Sequence, residues 1–184
     1  MKNNPLLRLS LTLFLITAIV AAALAGVNAI TKDRIAANQA EKVRLAISEV
    51  LPGAKAPASM SLPEQSDPAV AAVFTDSALP GAYCIEVHPM GFGGPLVLMV
   101  GVDSSGCVSG MSLVSHSETP NLGAVAAAAT SRGQAFRQQF VGSSGTLAVT
   151  KDGGSVEAIS SATITSRGVV EGVNIALDWV KAFG

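Results

Sequence analysis

Aromatic side chains make up only 4% of this chain, and charged ones only 14%, against roughly 25% in an ordinary soluble domain. Hydrophobic residues nevertheless reach 49%, so Ala, Val, Leu and Ile carry the apolar content and raise the mean hydropathy to +0.47. Basic residues are few and unevenly spread. Lys and Arg number 12 against 13 Asp and Glu, and none falls between Lys55 and Arg132, where Glu64, Asp67, Asp76, Glu86, Asp103 and Glu118 all lie. A nucleic-acid binder needs a basic face, so that class is excluded. Two Cys and two His are too few for the common closed zinc sites or iron–sulfur clusters, and no metal is expected. Long apolar runs are scarce as well. Only one segment is long enough to cross a bilayer, which excludes a polytopic membrane protein, and 184 residues leave room for about one domain.

That one segment is Leu9–Thr31, which carries no charge. As a helix it extends roughly 34 Å at about 1.5 Å per residue, enough for a hydrocarbon core of about 30 Å. Lys2 and Arg8 precede it, as a positive-inside orientation requires, although Lys32 and Arg34 follow closely with only Asp33 to offset them. Two readings stand: a retained anchor, or a signal peptide cleaved after Ala23-Leu24-Ala25. Both place the rest of the chain outside the cytoplasm. Cys84 and Cys107 are then either one disulfide or two free thiols.

Beyond the anchor, Ile35, Val43, Ile47 and Val50 recur at roughly helical spacing, and the helix stops at Pro52-Gly53. Pro57, Pro63 and Pro68 mark a linker from about Pro52 to Pro68. Strands are expected over Ala82–His88, Leu96–Val102 and Cys107–Val114, the last two joined by the turn Asp103–Gly106. Helix is expected over the small-residue stretch Gly123–Ala129 and around Phe136 and Phe140, the latter ending at Gly142. A short strand Thr146–Thr150 and the turn Lys151–Gly154 follow. Val169, Val173, Ala176, Leu177 and Val180 then mark an amphipathic closing helix. This order is α+β, with an antiparallel sheet and flanking helices. The expected division is an anchor segment over residues 1–31, a helix and linker over 32–68 and one domain over 69–184.

Three clusters invite chemistry. Hydroxyls crowd Ser160–Ser166 just before the last helix. A helix start offers unpaired N–H groups that favour a phosphate, but Thr165 or Ser166 as N-caps use the same residue types. The run Ser115–Gly123 holds Ser, His116 and Glu118. Neighbours on one strand do not make a Ser–His–carboxylate triad, and no G-x-S-x-G elbow occurs. Gly91–Pro95 is a glycine-rich turn without the strand–helix setting of a dinucleotide fold. Its glycines allow positive φ or the close approach of a flat ligand. His88 is expected at a strand edge and Trp179 in the core.

In order along the chain, Ile30–Ile35 after the apolar run, Gly91–Leu96, His116–Gly123 (the motif H-x-E-T-P-G-L-G), Phe136–Gly142 (F-x-x-Q-F-x-G) and Glu157–Ser166 (D-a-i-S-G-A-T-i-T-S) resemble the FMN-binding G subunit of the Rnf electron-transport complexes. That family is related to the C subunit of the sodium-translocating NADH:quinone reductase. The resemblance implies an N-terminal transmembrane helix followed by a single FMN-binding domain. It implies FMN joined through its phosphate to Thr163 by a separate flavin transferase, with Thr165 and Ser166 meeting the remaining phosphate charge. Glu118, Thr119, Leu122 and Gly123 would approach the isoalloxazine ring, with Gly93 and Gly94 close by.

Three positions depart from the family's pattern: Glu157 replaces Asp, and Ser161 and Asn121 each replace Gly. The implied function is a covalently flavinylated redox subunit of an ion-translocating ferredoxin:NAD oxidoreductase, with no catalytic residue and no activity of its own. Its implied partners are the other subunits and the membrane. Its implied place is the cell's inner (cytoplasmic) membrane, as a single-pass protein with the flavin domain outside the cytoplasm. The competing reading is a non-redox extracytoplasmic binding or assembly module that keeps the fold without flavin.

Overall fold

A computed structural model describes residues 5–184; Lys2, the first of the basic residues flanking the apolar run, lies outside them. The chain divides into two compact units, one ending at Lys42 and the other covering Val43–Gly184.

Helix α1 runs Pro5–Val50, and most of it forms the first unit. Among the described residues it is the one helix long and apolar enough to cross a membrane. Leu13, Phe14, Ile16, Ile19 and Val20 are each more than half exposed, so the apolar surface runs round the helix instead of turning to one core. A helix apolar on all sides without protein cover suits a bilayer. The hydroxyls of its three threonines are satisfied within the helix: Thr12, Thr17 and Thr31 each donate to the carbonyl four residues back, at 2.8, 3.0 and 2.9 Å. Lipid requires such pairing of every polar group.

The second unit is built on an antiparallel meander, in spatial order β1 (Ala58–Met60), β2 (Val70–Thr75), β3 (Tyr83–Val87), β4 (Val97–Val102) and β5 (Val108–Ser115). Register pairs Ile85 with Val100 and Val87 with Leu98, then Leu98 with Leu113 and Val100 with Met111. These side chains share one face of the sheet with α3 (Thr163–Phe183) and with α2 (Ser131–Gln138). The opposite face carries Cys84 and Met99 and is covered by Ala46, Ile47 and Val50 from the end of α1 and by Leu51 just after it. A strand covered on both faces has no reason to alternate, which is why Leu96–Val102 reads as one apolar run. Gly101 and Gly110 are register partners beneath Val50. A Cβ on Gly101 would lie 2.2 Å from the Val50 carbonyl oxygen. That carbonyl instead accepts from Ser109 Oγ at 2.5 Å, and Glu49 accepts from Ser112 Oγ at 2.7 Å.

The three expected strands and the closing helix are present, but other expectations are corrected. The stretch from Pro52 onward is not all linker, because β1 lies within it and pairs with β2, a strand the sequence pattern did not signal. Thr146–Thr150 is not a strand; only Val149 bridges to Val156, and a 3-10 turn begins at Thr150. The reason lies in Asn174 of α3, which accepts from Leu147 N at 2.8 Å and donates to Leu147 O at 2.9 Å. Those are the backbone groups a neighbouring strand would have used. Gly123–Ala129 forms only a short 3-10 turn over Gly123–Ala126. Arg137 of α2 holds the segment after it by donating to the carbonyls of Ala126 and Ala128.

Cys84 and Cys107 are free thiols in this structure. Burial, with Glu86 nearby, pushes the Cys84 thiol up to about 12. It is an inert core residue.

Candidate functional site

Helix α3 starts at Thr163, earlier than capping by Thr165 or Ser166 would place it. Its N-cap is Ala162, which has no side chain able to accept a hydrogen bond, so the first turn keeps unpaired N–H groups. Two features fix this start. Ser161 takes the left-handed conformation, φ +64°, and swings the chain into the helix. Ser166 then ties the turn back on itself, its hydroxyl accepting from Ile159 N and donating to Ala162 O, both at 3.0 Å. The segment before it is clamped as well. Gln139 accepts from Glu157 N at 2.7 Å and donates to Glu157 O at 3.2 Å, leaving the Glu157 side chain exposed. The extra methylene that distinguishes Glu157 from Asp therefore extends into solvent.

Left-handed backbone costs an L-residue about 1–2 kcal/mol, partly offset in any glycine replacement by the extra freedom glycine gains on unfolding. Ser161→Gly is therefore expected to stabilise the protein by about 0.5–1 kcal/mol, read as a higher midpoint in urea unfolding. A lower midpoint would show that Ser161 is unstrained. Asn121, at φ +61°, sits in the same region with a side chain that tolerates it better.

The open helix start forms one end of a cavity of about 330 Å³. Thr163, Ile164 and Thr165 line it from α3, with Ser161 and Ala162 before them. Glu118, Thr119, Leu122 and Gly123 line it from the loop after β5, and Phe92 from the glycine-rich turn. Phe92 and Ile164 are 66% and 52% exposed, so an aromatic ring and an aliphatic chain stand at the opening without protein cover.

Glu118 is the buried polar centre of this arrangement, 6% exposed. One carboxylate oxygen accepts from Gly93 N at 3.0 Å; the other accepts from Thr165 Oγ1 at 2.6 Å. It thus joins the turn, the loop and α3. Glycine makes the approach possible: a Cβ on Gly123 would lie 2.2 Å from the carboxylate, and one on Gly93 would lie 2.1 Å from the Ser117 carbonyl oxygen. His116 Nδ1 accepts from the Glu118 backbone N–H at 3.2 Å. The carboxylate pairs with Gly93 and Thr165 and not with His116, in keeping with the sequence reading that this run holds no triad.

Of the residues expected at the site, Thr163, Glu118, Thr119, Leu122, Gly123 and Thr165 line the one cavity. Gly93 reaches it only through Glu118. Gly94 does not; it closes the turn, at φ +127°, by accepting from Gly91 N at 2.9 Å. The hydroxyls of Thr165 and Ser166 do not point to an open phosphate position. Both residues are buried, one hydroxyl bonded to Glu118 and the other to the Ile159–Ala162 turn. Thr163 is half-buried, and its hydroxyl accepts from Lys151 Nζ at 3.2 Å. Phe92, Ile164 and Lys151 were not picked out from the sequence. Phe92 had a signal, as an aromatic among glycines in a chain poor in aromatics, whereas Lys151 had none.

The lining suits a flavin mononucleotide. Phe92, Leu122 and Ile164 offer apolar surface to a flat ring system. At one end, free N–H groups and the Thr163 hydroxyl suit a phosphate, and the Lys151 ammonium, outside the lining, meets that hydroxyl. Residues 91–178 match the FMN-binding domain family, and residues 1–50 match the N-terminal region of the RnfG family. The chain is similar to the G subunit of the ion-translocating oxidoreductase complex of Methanosarcina acetivorans, with 31% identity over 98% of this chain and 97% of that one. It is similar to the G subunit of the proton-translocating ferredoxin:NAD(+) oxidoreductase complex of Clostridium ljungdahlii, with 39% identity over 55% of each. It is also similar to the G subunit of the Na(+)-translocating ferredoxin:NAD(+) oxidoreductase complex of Acetobacterium woodii, with 27% identity over 92% of this chain and 89% of that one.

Proposed function

Because this chain belongs to the RnfG family, the G subunits of ion-translocating oxidoreductase complexes, we propose that it carries FMN covalently on Thr163 and passes electrons within such a ferredoxin:NAD oxidoreductase. One observation carries the proposal: the half-buried hydroxyl of Thr163 stands at an uncapped helix start on the wall of the cavity.

Bound there, FMN supplies the electron chemistry, accepting and releasing one or two electrons. The chain's own residues position it. Thr163 anchors the phosphate, and the free N–H groups of the first turn of α3 face its charge. Phe92, Leu122 and Ile164 cover the ring, and Glu118 holds the three lining segments together. Among the described residues the Thr163 hydroxyl is bonded to an ammonium and to no base, and an unassisted hydroxyl is a poor nucleophile. Attachment therefore falls to a separate flavin transferase. Helix α1 anchors the subunit in the cytoplasmic membrane by a single span, with the flavin domain on the extracytoplasmic face. The remaining subunits of the complex supply and accept its electrons.

Mass spectrometry of the full chain, co-expressed with a flavin transferase, tests this. The chain is expected to gain the mass of one FMN less one water, on the peptide containing Thr163. A colourless chain of unmodified mass would overturn covalent attachment.

A further inference from the structure

We infer that Lys151 belongs to the flavin-attachment site, as the side chain that holds the phosphate carried by Thr163. This rests on the reading of Thr163 as the attachment point and adds to it a residue from a different element. Lys151 is the middle residue of the 3-10 turn Thr150–Asp152, and its Nζ donates to Thr163 Oγ1 at 3.2 Å.

The turn is fixed against the start of α3. Thr150 N donates to Val156 O at 2.8 Å, and Asp152 N donates to Val149 O at 2.8 Å. Asp152 is gripped by Arg167 of α3 through two hydrogen bonds of 2.7 and 2.6 Å. The hydrogen bonds and charge of Arg167, with the Lys151 ammonium adding to them, hold the Asp152 carboxyl below the ordinary carboxylate range. The carboxylate that follows Lys151 in the chain is thus hydrogen-bonded to Arg167. Among the described residues no carboxylate forms an ion pair with Lys151, whose ammonium turns to the hydroxyl instead. Beyond Thr163 lies the cavity.

An ammonium in this position matches both ends of the attachment reaction. The co-reactant is a flavin nucleotide whose phosphate bears a leaving group through an anhydride bond. Oγ1 of Thr163 forms a bond to that phosphorus and gives its proton to a base of the transferase. The anhydride bond breaks, and the leaving group departs with the bonding electron pair. No electron is gained or lost by the flavin. Lys151 favours the alkoxide character that grows on Oγ1, and it remains as counter-ion to the single negative charge of the phosphodiester. The lysine is exposed, so its effect falls with ionic strength.

The test uses the full-length chain in detergent, purified without flavin and then given transferase and flavin donor. Covalent flavin is followed over time by in-gel fluorescence and intact mass. Lys151→Met is expected to slow attachment about tenfold, as loss of a charge-assisted contact does, and Lys151→Arg to recover most of the rate. Added salt should slow the parent chain and leave Lys151→Met nearly unchanged. Equal thermal midpoints for the three chains exclude a folding defect; a fall in Lys151→Met that Lys151→Arg does not share would assign the slowing to structure and overturn the inference. If Lys151→Met is loaded as fast as the parent while Thr163→Ala stays unloaded, the role of Lys151 is overturned and Thr163 stands. If Lys151→Arg is as slow as Lys151→Met, a role for the charge is overturned. If the parent chain takes up no flavin, the attachment reading fails, and this inference with it.

Discussion

Thr163→Ala is expected to remove all covalent flavin from the chain while leaving its fold intact. The two halves of that expectation have separate physical grounds. Thr163 is the first residue of α3, half-buried, and its only hydroxyl contact among the described residues is with the exposed Lys151. Alanine suits a first helical turn, so the stability change should stay within about 0.5 kcal/mol. The loss of flavin should nevertheless be complete, because no neighbouring hydroxyl is placed to substitute. Thr165 and Ser166 are buried and bonded to Glu118 and to the Ile159–Ala162 turn. Ser161 lies outside the helix on left-handed backbone. Thr163→Ser, which keeps the oxygen in place, should retain flavin. In-gel fluorescence and intact mass on the three chains read the result directly. Flavin retained in full by Thr163→Ala would move the attachment point elsewhere, with exposed Ser160 and Ser161 the first positions to map.

How much of this could be read from the sequence depended on whether the deciding interactions were local. The motif around Ser160–Ser166 marked the start of α3 that lines the cavity, and Asn121 and Ser161, which depart from the family's glycines, fall where the backbone does turn left-handed. Leu96–Val102 was legible as a strand because covering both faces leaves a continuous apolar run. β2 was hidden because only Val70 and Val73 of its six residues are fully buried, in a segment bounded by prolines and a short edge strand. Thr146–Thr150 has the composition of a strand, but Asn174, distant in sequence, takes its backbone groups. Lys151 likewise meets Thr163 across a turn that the Asp152–Arg167 pair ties to α3. Pairings of that kind leave no periodic trace. The Thr165 and Ser166 hydroxyls show the converse: residue types expected to meet a phosphate are engaged by Glu118 and by the Ile159–Ala162 turn.

Glu118→Ala should be the most damaging side-chain truncation at the site, costing about 2–4 kcal/mol of stability. Each carboxylate oxygen accepts one bond, and truncation leaves Gly93 N–H and the buried Thr165 hydroxyl without their partner. Charge-assisted bonds are each worth about 1.5–3 kcal/mol, and water entering from the open cavity offsets part of the loss. Gly123→Ala should be comparably harmful for a steric reason, since its Cβ would meet the same carboxylate at 2.2 Å and Thr165 Oγ1 at 2.5 Å. The two effects must then be coupled. With Glu118 already truncated, the new methyl group loses its main obstacle, so the double variant should be more stable than the sum of the single losses predicts by about 1–2 kcal/mol. Urea unfolding of the four chains measures that difference; simple additivity would mean that Glu118 and Gly123 do not meet. Glu118→Gln separates charge from packing. It keeps the size of the side chain but removes a negative charge from the cavity wall, so electrons should accumulate more readily on bound flavin and the midpoint potential should rise. A potential unchanged in Glu118→Gln, with the flavin still attached at Thr163, would confine Glu118 to holding the three lining segments together.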